Sequence, residues 1–246
     1  DVSSSALRFL TCRLREHRRS LGTRWRRLTA GRQALLTVAH LRNGQPYAQL
    51  AAGFGVGTTT AYRYITEAVE VLAAPAPTLA EVVRTASVKA FVLLDGTLLP
   101  IDRIGADRPF YSGKHKKHGM NVQVLADPFG RLLWASPALP GAVHDVRAAR
   151  EHGIIDALAD AGITCWADKA YQGAKGTVRV PYRGRWETLS SSQRAVNRSH
   201  TKTRALVEQA VATLKSWRLL RRLRCSTTRI TTFVQAILSL HLTSSA

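Results

Sequence analysis

The chain has 246 residues, with 36 Lys+Arg against 16 Asp+Glu, a formal charge of +20 and a pI near 11.1. Its 45% apolar content suffices for one core and a small satellite domain. So large a positive charge argues against cationic partners and for a polyanion, nucleic acid first, because neutralising phosphates releases counterions.

Residues 1–29 read as a basic lead-in of mixed helical character, carrying Arg8, Arg13, Arg15, Arg18, Arg19, Arg24, Arg26 and Arg27 against Asp1 and Glu16. A chain opening on Asp1 is expected to lack its true first residues. Residues 30–74 read as three helices. The first spans Ala30–Arg42 with Leu35, Leu36, Val38, Ala39 and Leu41 as its apolar stripe, and stops at Asn43-Gly44. The second is short, Tyr47–Gly53, with Leu50 and Ala51 inward. After the turn Phe54-Gly55-Val56-Gly57, Thr58, Thr59 or Thr60 is placed to cap a third helix through Ile65, Val69 and Leu72. Helix, glycine turn, helix is the helix-turn-helix pattern. The third helix would read DNA, with Thr58, Thr59, Thr60 and Arg63 near its start, where base edges are contacted. The plainer alternative is a three-helix packing module.

Residues 75–87 hold a proline-broken linker and a short helix, Ala80–Ala86. Residues 88–246 then change to strand-like periodicity. Phe91–Leu94 is an apolar run ending at Asp95, and Leu98–Asp102 is a second strand. Val122–Ala126 and Leu132–Ala135 flank the turn Asp127-Pro128-Phe129-Gly130 as a hairpin. Asp145–Leu158 reads as one helix with Asp145 suited to its N-cap. Ile163–Ala167 is a buried strand ending at Asp168, Val178–Tyr182 a last strand, and Ser190–Arg222 mainly helical. Strands followed by alternating helix and strand give an α/β domain with a mixed sheet. Near the end Arg218, Arg221, Arg222 and Arg224 crowd beside Trp217. Cys12, Cys165 and Cys225 form no CxxC motif or disulfide framework, which favours a reducing compartment. No uncharged apolar run nears the ~20 residues of a membrane span, so no membrane partner is expected.

Three acids carry the chemistry: Asp95 and Asp168 at strand ends, and Glu208 on a late helix. A buried carboxylate is costly unless paired, and a divalent cation is the natural partner for several that converge. Mg²⁺, with Mn²⁺ as an alternative, takes a few carboxylate oxygens and leaves positions for water or phosphate. At about 100° per residue, Arg204, Glu208 and Lys215 fall within about 60° of one another, opposite Leu206, Ala210, Leu214 and Trp217. An exposed Arg–Glu pair at i,i+4 is the bland alternative.

An ordered set of motifs resembles the bacterial insertion-sequence transposases of the DDE class related to the PIF/Harbinger group. It comprises Asp95-Gly96-Thr97, the basic loop Phe110–His118, Asp127-Pro128-Phe129-Gly130, Pro140-Gly141-Ala142-Val143-His144-Asp145, Asp168-Lys169-Ala170-Tyr171, Asn197, and Arg204 with Glu208 and Lys215. It covers roughly Ala30 to the end. The resemblance implies a ribonuclease H-like nuclease domain behind a small all-α helix-turn-helix domain. Asp95, Asp168 and Glu208 would be catalytic and metal-binding. Lys114, Lys116 and Lys117 of the basic loop, with Tyr171, Arg204 and Lys215, would hold DNA. The implied partners are double-stranded DNA, both element ends and target, and a second copy in a homodimer or larger synaptic assembly, in the bacterial cytoplasm at the nucleoid. Ala170 stands where such proteins usually carry Gly. Asp145 rivals Asp168 as second carboxylate. His118 and His144 read as structural, and Lys114–His118 is too basic for zinc. The competing function is a catalytically inactive, transposase-derived DNA-binding protein, with a basic RNA-coating protein as a third.

Overall fold

The computed structural model describes residues 3–23, 25–102 and 108–245, so Asp1 and Arg24 lie outside the described residues. Two compact units emerge: Asp1–Ala76 with Leu214–Ala246, and Pro77–Thr213. This division differs from the sequence expectation at both ends. The basic lead-in is not separate, and the last 33 residues group with the helical unit rather than with the sheet.

The helical unit opens with α1, Ser4–Ser20, capped by the Ser3 hydroxyl and burying Ala6, Leu10 and Leu14 on one stripe. Two of the lead-in arginines are structural rather than free for phosphate. Arg18 donates to the Leu28 carbonyl and to Gln33 Oε1 (3.0 and 2.6 Å), and Arg26 makes a two-pronged pair with Glu67 (3.0 and 2.8 Å). Helix α2, Ala30–Asn43, ends at Gly44 in the left-handed conformation (φ 68°). Its inward face is Ala34, Leu36, Val38 and Leu41; Leu35, expected inside, is half exposed. Helix α3, Tyr47–Phe54, buries Leu50 and Ala51. Helix α4, Thr58–Ala73, buries Ile65, Val69 and Leu72. The expected threonine cap is not used. Gly57 occupies the cap position, with no side-chain bond, so Thr58–Thr60 form the first turn itself.

The sheet unit opens with α5, Leu79–Ala86, closed by a reciprocal capping box of Thr78 and Glu81. The two expected strands around Asp95 are one, β1, Val92–Pro100. It runs antiparallel to β3 in unbroken register, Asp95 opposite Val124 and Gly96 opposite Gln123, so the backbone ladder carries the strand through a carboxylate and a glycine. The other strands are β2 (Tyr111–Ser112), β3 (Lys117–Ala126), β4 (Leu132–Ala135), β5 (Leu139–Pro140), β6 (Cys165–Ala167) and β7 (Val178–Arg179). Strands β3 and β4 form the expected hairpin; β7 is shorter than expected. Across the sheet the order β4-β3-β1-β6-β7 has antiparallel pairs on one side of β1 and parallel pairs on the other. This is a ribonuclease H-like mixed sheet flanked by helices.

The expected single helix from Asp145 is two, α6 (Asp145–Glu151) and α7 (Ile154–Asp160), separated where Gly153 turns left-handed at φ 67°. Helix α8, Ser191–Arg204, has a capping box of Ser190 and Gln193. Helix α9, Val207–Lys215, follows after a break at Ala205-Leu206. Its inward positions are Val207, Ala210 and Leu214. The division between units falls within α9, after Thr213. The last helix, α10 (Ile230–Ser245), packs on α4 and α1. Among the described residues no helix is long and apolar enough to cross a membrane.

Candidate active site

Strands β1 and β6 run parallel, and their pairing ends at Leu94 opposite Ala167. The next residue on each is Asp95 and Asp168, so two adjacent parallel strands, spaced about 4.8 Å apart, deliver their carboxylates side by side. Asp168 follows the end of β6 and accepts the Ala170 N–H (2.8 Å), which shapes the turn Lys169–Tyr171. Ala170 needs no glycine there, since its φ is negative. His200 of α8, buried, bonds the Ala167 carbonyl at 2.7 Å and ties α8 to the end of the strand that presents Asp168.

Glu208 joins through Arg204. The guanidinium lies 3.4 Å from Asp95 Oδ2 and 3.8 Å from Glu208 Oε1, spanning both acids. The helix break does not prevent this; Arg204 ends α8 and Glu208 starts α9. Lys114 spans a second pair, with its Nζ 2.9 Å from Asp145 Oδ2 and 3.9 Å from Asp168 Oδ2. Four carboxylates therefore surround two basic side chains. Among the described residues no three His, Cys, Asp or Glu side chains stand close enough together to hold a metal ion as they are placed.

Burial pushes the Asp95 carboxyl up to about 6; Arg204 pulls it down, Asp168 and Glu208 push it up, and Lys114 pulls it down. The mutual influence makes one cluster of the two pairs. Lys114 is held above its ordinary value: burial opposes its charge, but the hydrogen bond and charge of Asp145, with Asp168 and Asp95, outweigh it. The donor set is all carboxylate oxygen, the kind of oxygen that a hard divalent cation such as Mg²⁺ takes.

A stability consequence follows from Asp95. Its folded value lies above the unfolded one, so its contribution to stability is complete below about pH 4 and is lost as pH rises through about 6. Asn cannot ionise. We expect Asp95→Asn to stabilise the cation-free protein at pH 8 by on the order of 2 kcal/mol, with the gain vanishing near pH 4. Denaturant melts at the two pH values in EDTA check this; an equal gain at both would refute it.

Two sequence assignments change. Asp145 is not the N-cap of α6; His144 holds that position, without a side-chain bond. The Asp145 carboxylate is buried and accepts Asn121 Nδ2 at 2.8 Å as well as Lys114. It packs so close over Gly96 that a methyl group at 96 would collide with it. Tyr171 is fully buried, its hydroxyl donating to Gln123 Oε1, so it cannot be a DNA-contacting surface. Gln123 Nε2 in turn donates to Asn121 Oδ1 (2.7 Å), completing a buried chain from Tyr171 to Asp145. Sequence reasoning missed Asn121 and Gln123. The available signal was two amides at i and i+2 in the otherwise apolar stretch 120–126, hence on one face.

The remaining expected contacts lie on the surface. Lys116 and Lys117 are exposed at the β2–β3 turn, Lys116 with φ 51°. Thr58, Thr59 and Arg63 are exposed on α4, with Thr60 half-buried. Lys215 falls in the helical unit.

Residues 94–241 match the family described as DDE superfamily endonuclease, and residues 26–78 match the helix-turn-helix of DDE superfamily endonuclease. The chain is 34% identical over 194 residues to a Streptomyces albus G protein described as "Putative transposase for insertion sequence element IS112", covering 77% of this chain and 70% of that one. No solved structure matches it. The strand-end carboxylates, the ribonuclease H-like sheet and these two matches agree: the chain belongs to the DDE superfamily of endonucleases, transposase-like and carrying that family's helix-turn-helix.

Proposed function

We propose that the protein is a transposase that binds the terminal inverted repeats of its element and cuts and joins DNA strands. The observation that carries this is the gathering of Asp95, Asp168 and Glu208, with Asp145 beside them, at the end of the parallel β1–β6 ladder. In this reading α4 enters the major groove with Thr58, Thr59 and Arg63 toward base edges. Lys116, Lys117 and Lys215 contact phosphates. Asp95, Asp168 and Glu208 would hold a divalent cation, Mg²⁺ or Mn²⁺, which supplies Lewis-acid activation of the attacking oxygen and neutralises the leaving one. Arg204 and Lys114 position the carboxylates and face the scissile phosphodiester. Water attacks that phosphorus and releases a 3′-hydroxyl. The 3′-hydroxyl then attacks a target phosphodiester, exchanging one P–O bond for another without a covalent enzyme intermediate. Two ends handled together call for a homodimer or larger assembly, in the bacterial cytoplasm.

The test is a duplex bearing the DNA ends that flank the coding sequence. We expect Mg²⁺-dependent nicking that leaves a 3′-hydroxyl, none in EDTA, and none by Asp95→Ala despite retained binding. Cation-independent nicking, or nicking that survives Asp95→Ala, would overturn the assignment. Retained binding without any nicking by the natural chain is the outcome that favours the inactive DNA-binding reading. Ala170, standing where such proteins usually carry Gly, would favour that reading if the turn needed a glycine, but its ordinary backbone and bonded amide weaken this.

A further inference from the structure

Within the helical unit lies a cavity of about 440 Å³ whose chemistry the reading above does not use. Its size is that of a small-molecule site. Four aromatic rings contribute its walls. His40 stacks on Tyr47 (4.7 Å between centroids), Tyr47 meets Tyr62 edge-on (5.4 Å), and Phe233 of α10 joins them. His40 is fixed by a 2.9 Å bond between Nδ1 and the Gln45 carbonyl. The Arg229 guanidinium lies over both Tyr62 and Phe233 (5.2 and 5.4 Å) and bonds the Tyr62 hydroxyl and Thr66 (3.1 and 2.8 Å). Arg222 and Arg224 also line the cavity, and among the described residues no acidic one does. Tyr62 sits on α4 directly before the exposed Arg63.

We propose that this pocket takes one unstacked nucleotide of bound DNA, its base against the aromatic walls and its phosphate among the arginines. Every base presents a π-face, so aromatic walls accept one without reading its identity. Arginine matches phosphate geometry and also stacks on rings. A second copy of this chain is the wrong occupant, because a partner at +20 brings repulsion to three arginines. The proposal rests on DNA being the chain's ligand, and it adds a place where a base leaves the stack.

The probe is a single-stranded pentanucleotide with central 2-aminopurine, titrated with the full chain. Binding should quench the fluorescence. Tyr62→Phe should keep the affinity, and Tyr62→Leu should lose roughly tenfold. A pentanucleotide abasic at the centre should lose as much against the natural chain, and Arg224→Gln should weaken the probe at low salt even if the Tyr62→Leu protein does not fold. Equal affinity for the abasic strand, or full quenching by folded Tyr62→Leu, would overturn the pocket. Deoxyadenosine monophosphate binding as tightly as the pentanucleotide would also overturn it, by assigning the pocket to a free nucleotide. A parallel duplex titration, with Arg63→Ala as its weakened control, separates the two readings. Duplex bound without quenching of the strand defeats only the pocket; neither bound defeats the DNA reading itself.

Discussion

Asp168→Asn should reduce strand cleavage by on the order of 10³-fold or more while leaving duplex binding nearly intact. Asn preserves the shape of the side chain and still offers one oxygen to the Ala170 N–H, so the turn after β6 survives. It removes the charge delivered beside Asp95. Asp145→Asn is the necessary comparison. It lacks only the ion pair with Lys114, while the 2.8 Å bond with Asn121 needs just one oxygen. For a residue acting through its neighbours, a loss of about 10–100-fold is expected. Gel-resolved nicking of the same duplex by both variants decides. Cleavage that survives Asp168→Asn and dies with Asp145→Asn would transfer the second catalytic carboxylate to Asp145.

Gly130→Ala should destabilise the sheet unit by about 2–4 kcal/mol and lower cleavage further than that loss alone implies. Gly130 ends the β3–β4 turn at φ 79°, and a methyl group there would strike the Leu206 carbonyl oxygen. Leu206 lies in the break just ahead of Glu208, so the collision pushes the start of α9 and with it the third carboxylate. The turn is held from its other side. Asp127 Oδ1 accepts the Phe129 and Arg131 N–H groups, each at 2.9 Å. Urea unfolding and nicking rates measure the two effects. Gly130→Asn is informative because asparagine tolerates left-handed backbone yet still carries a Cβ. Recovery by Asn would mean that backbone strain dominates; failure of Asn would mean that the collision does. Wild-type stability and activity in Gly130→Ala would refute the argument.

Much of this arrangement is legible in sequence because it is written locally. The apolar runs ending at Asp95 and Ala167, the glycine turn before Thr58 and the DPFG turn each announce themselves within a few residues. What was not legible depends on distant partners. Asp145 looks like a helix cap because the rule sees only the helix that follows; Asn121 and Lys114, 24 and 31 residues earlier, draw the carboxylate elsewhere. Tyr171 looks like a surface aromatic in a functional motif, yet Gln123, 48 residues away, receives its hydroxyl in the interior. Periodicity carried one helix through Arg204 and Lys215, but the chain breaks at Ala205-Leu206 and Arg204 still reaches Glu208 across the gap. The allegiance of the last 33 residues is likewise a tertiary fact: α10 is apolar, and its partners α1 and α4 are more than 150 residues away.

The Lys114 and Arg204 bridges bear on how the protein endures between reactions. Many metalloproteins cannot keep their shape once chelated, because their ligands repel or lose their only cross-link. Here an ammonium and a guanidinium from the same chain already stand among the acids, so the architecture carries its own counterions. If the proposed cation binds there, chelation is expected to stop the reaction and leave the fold standing, ready to take the cation back.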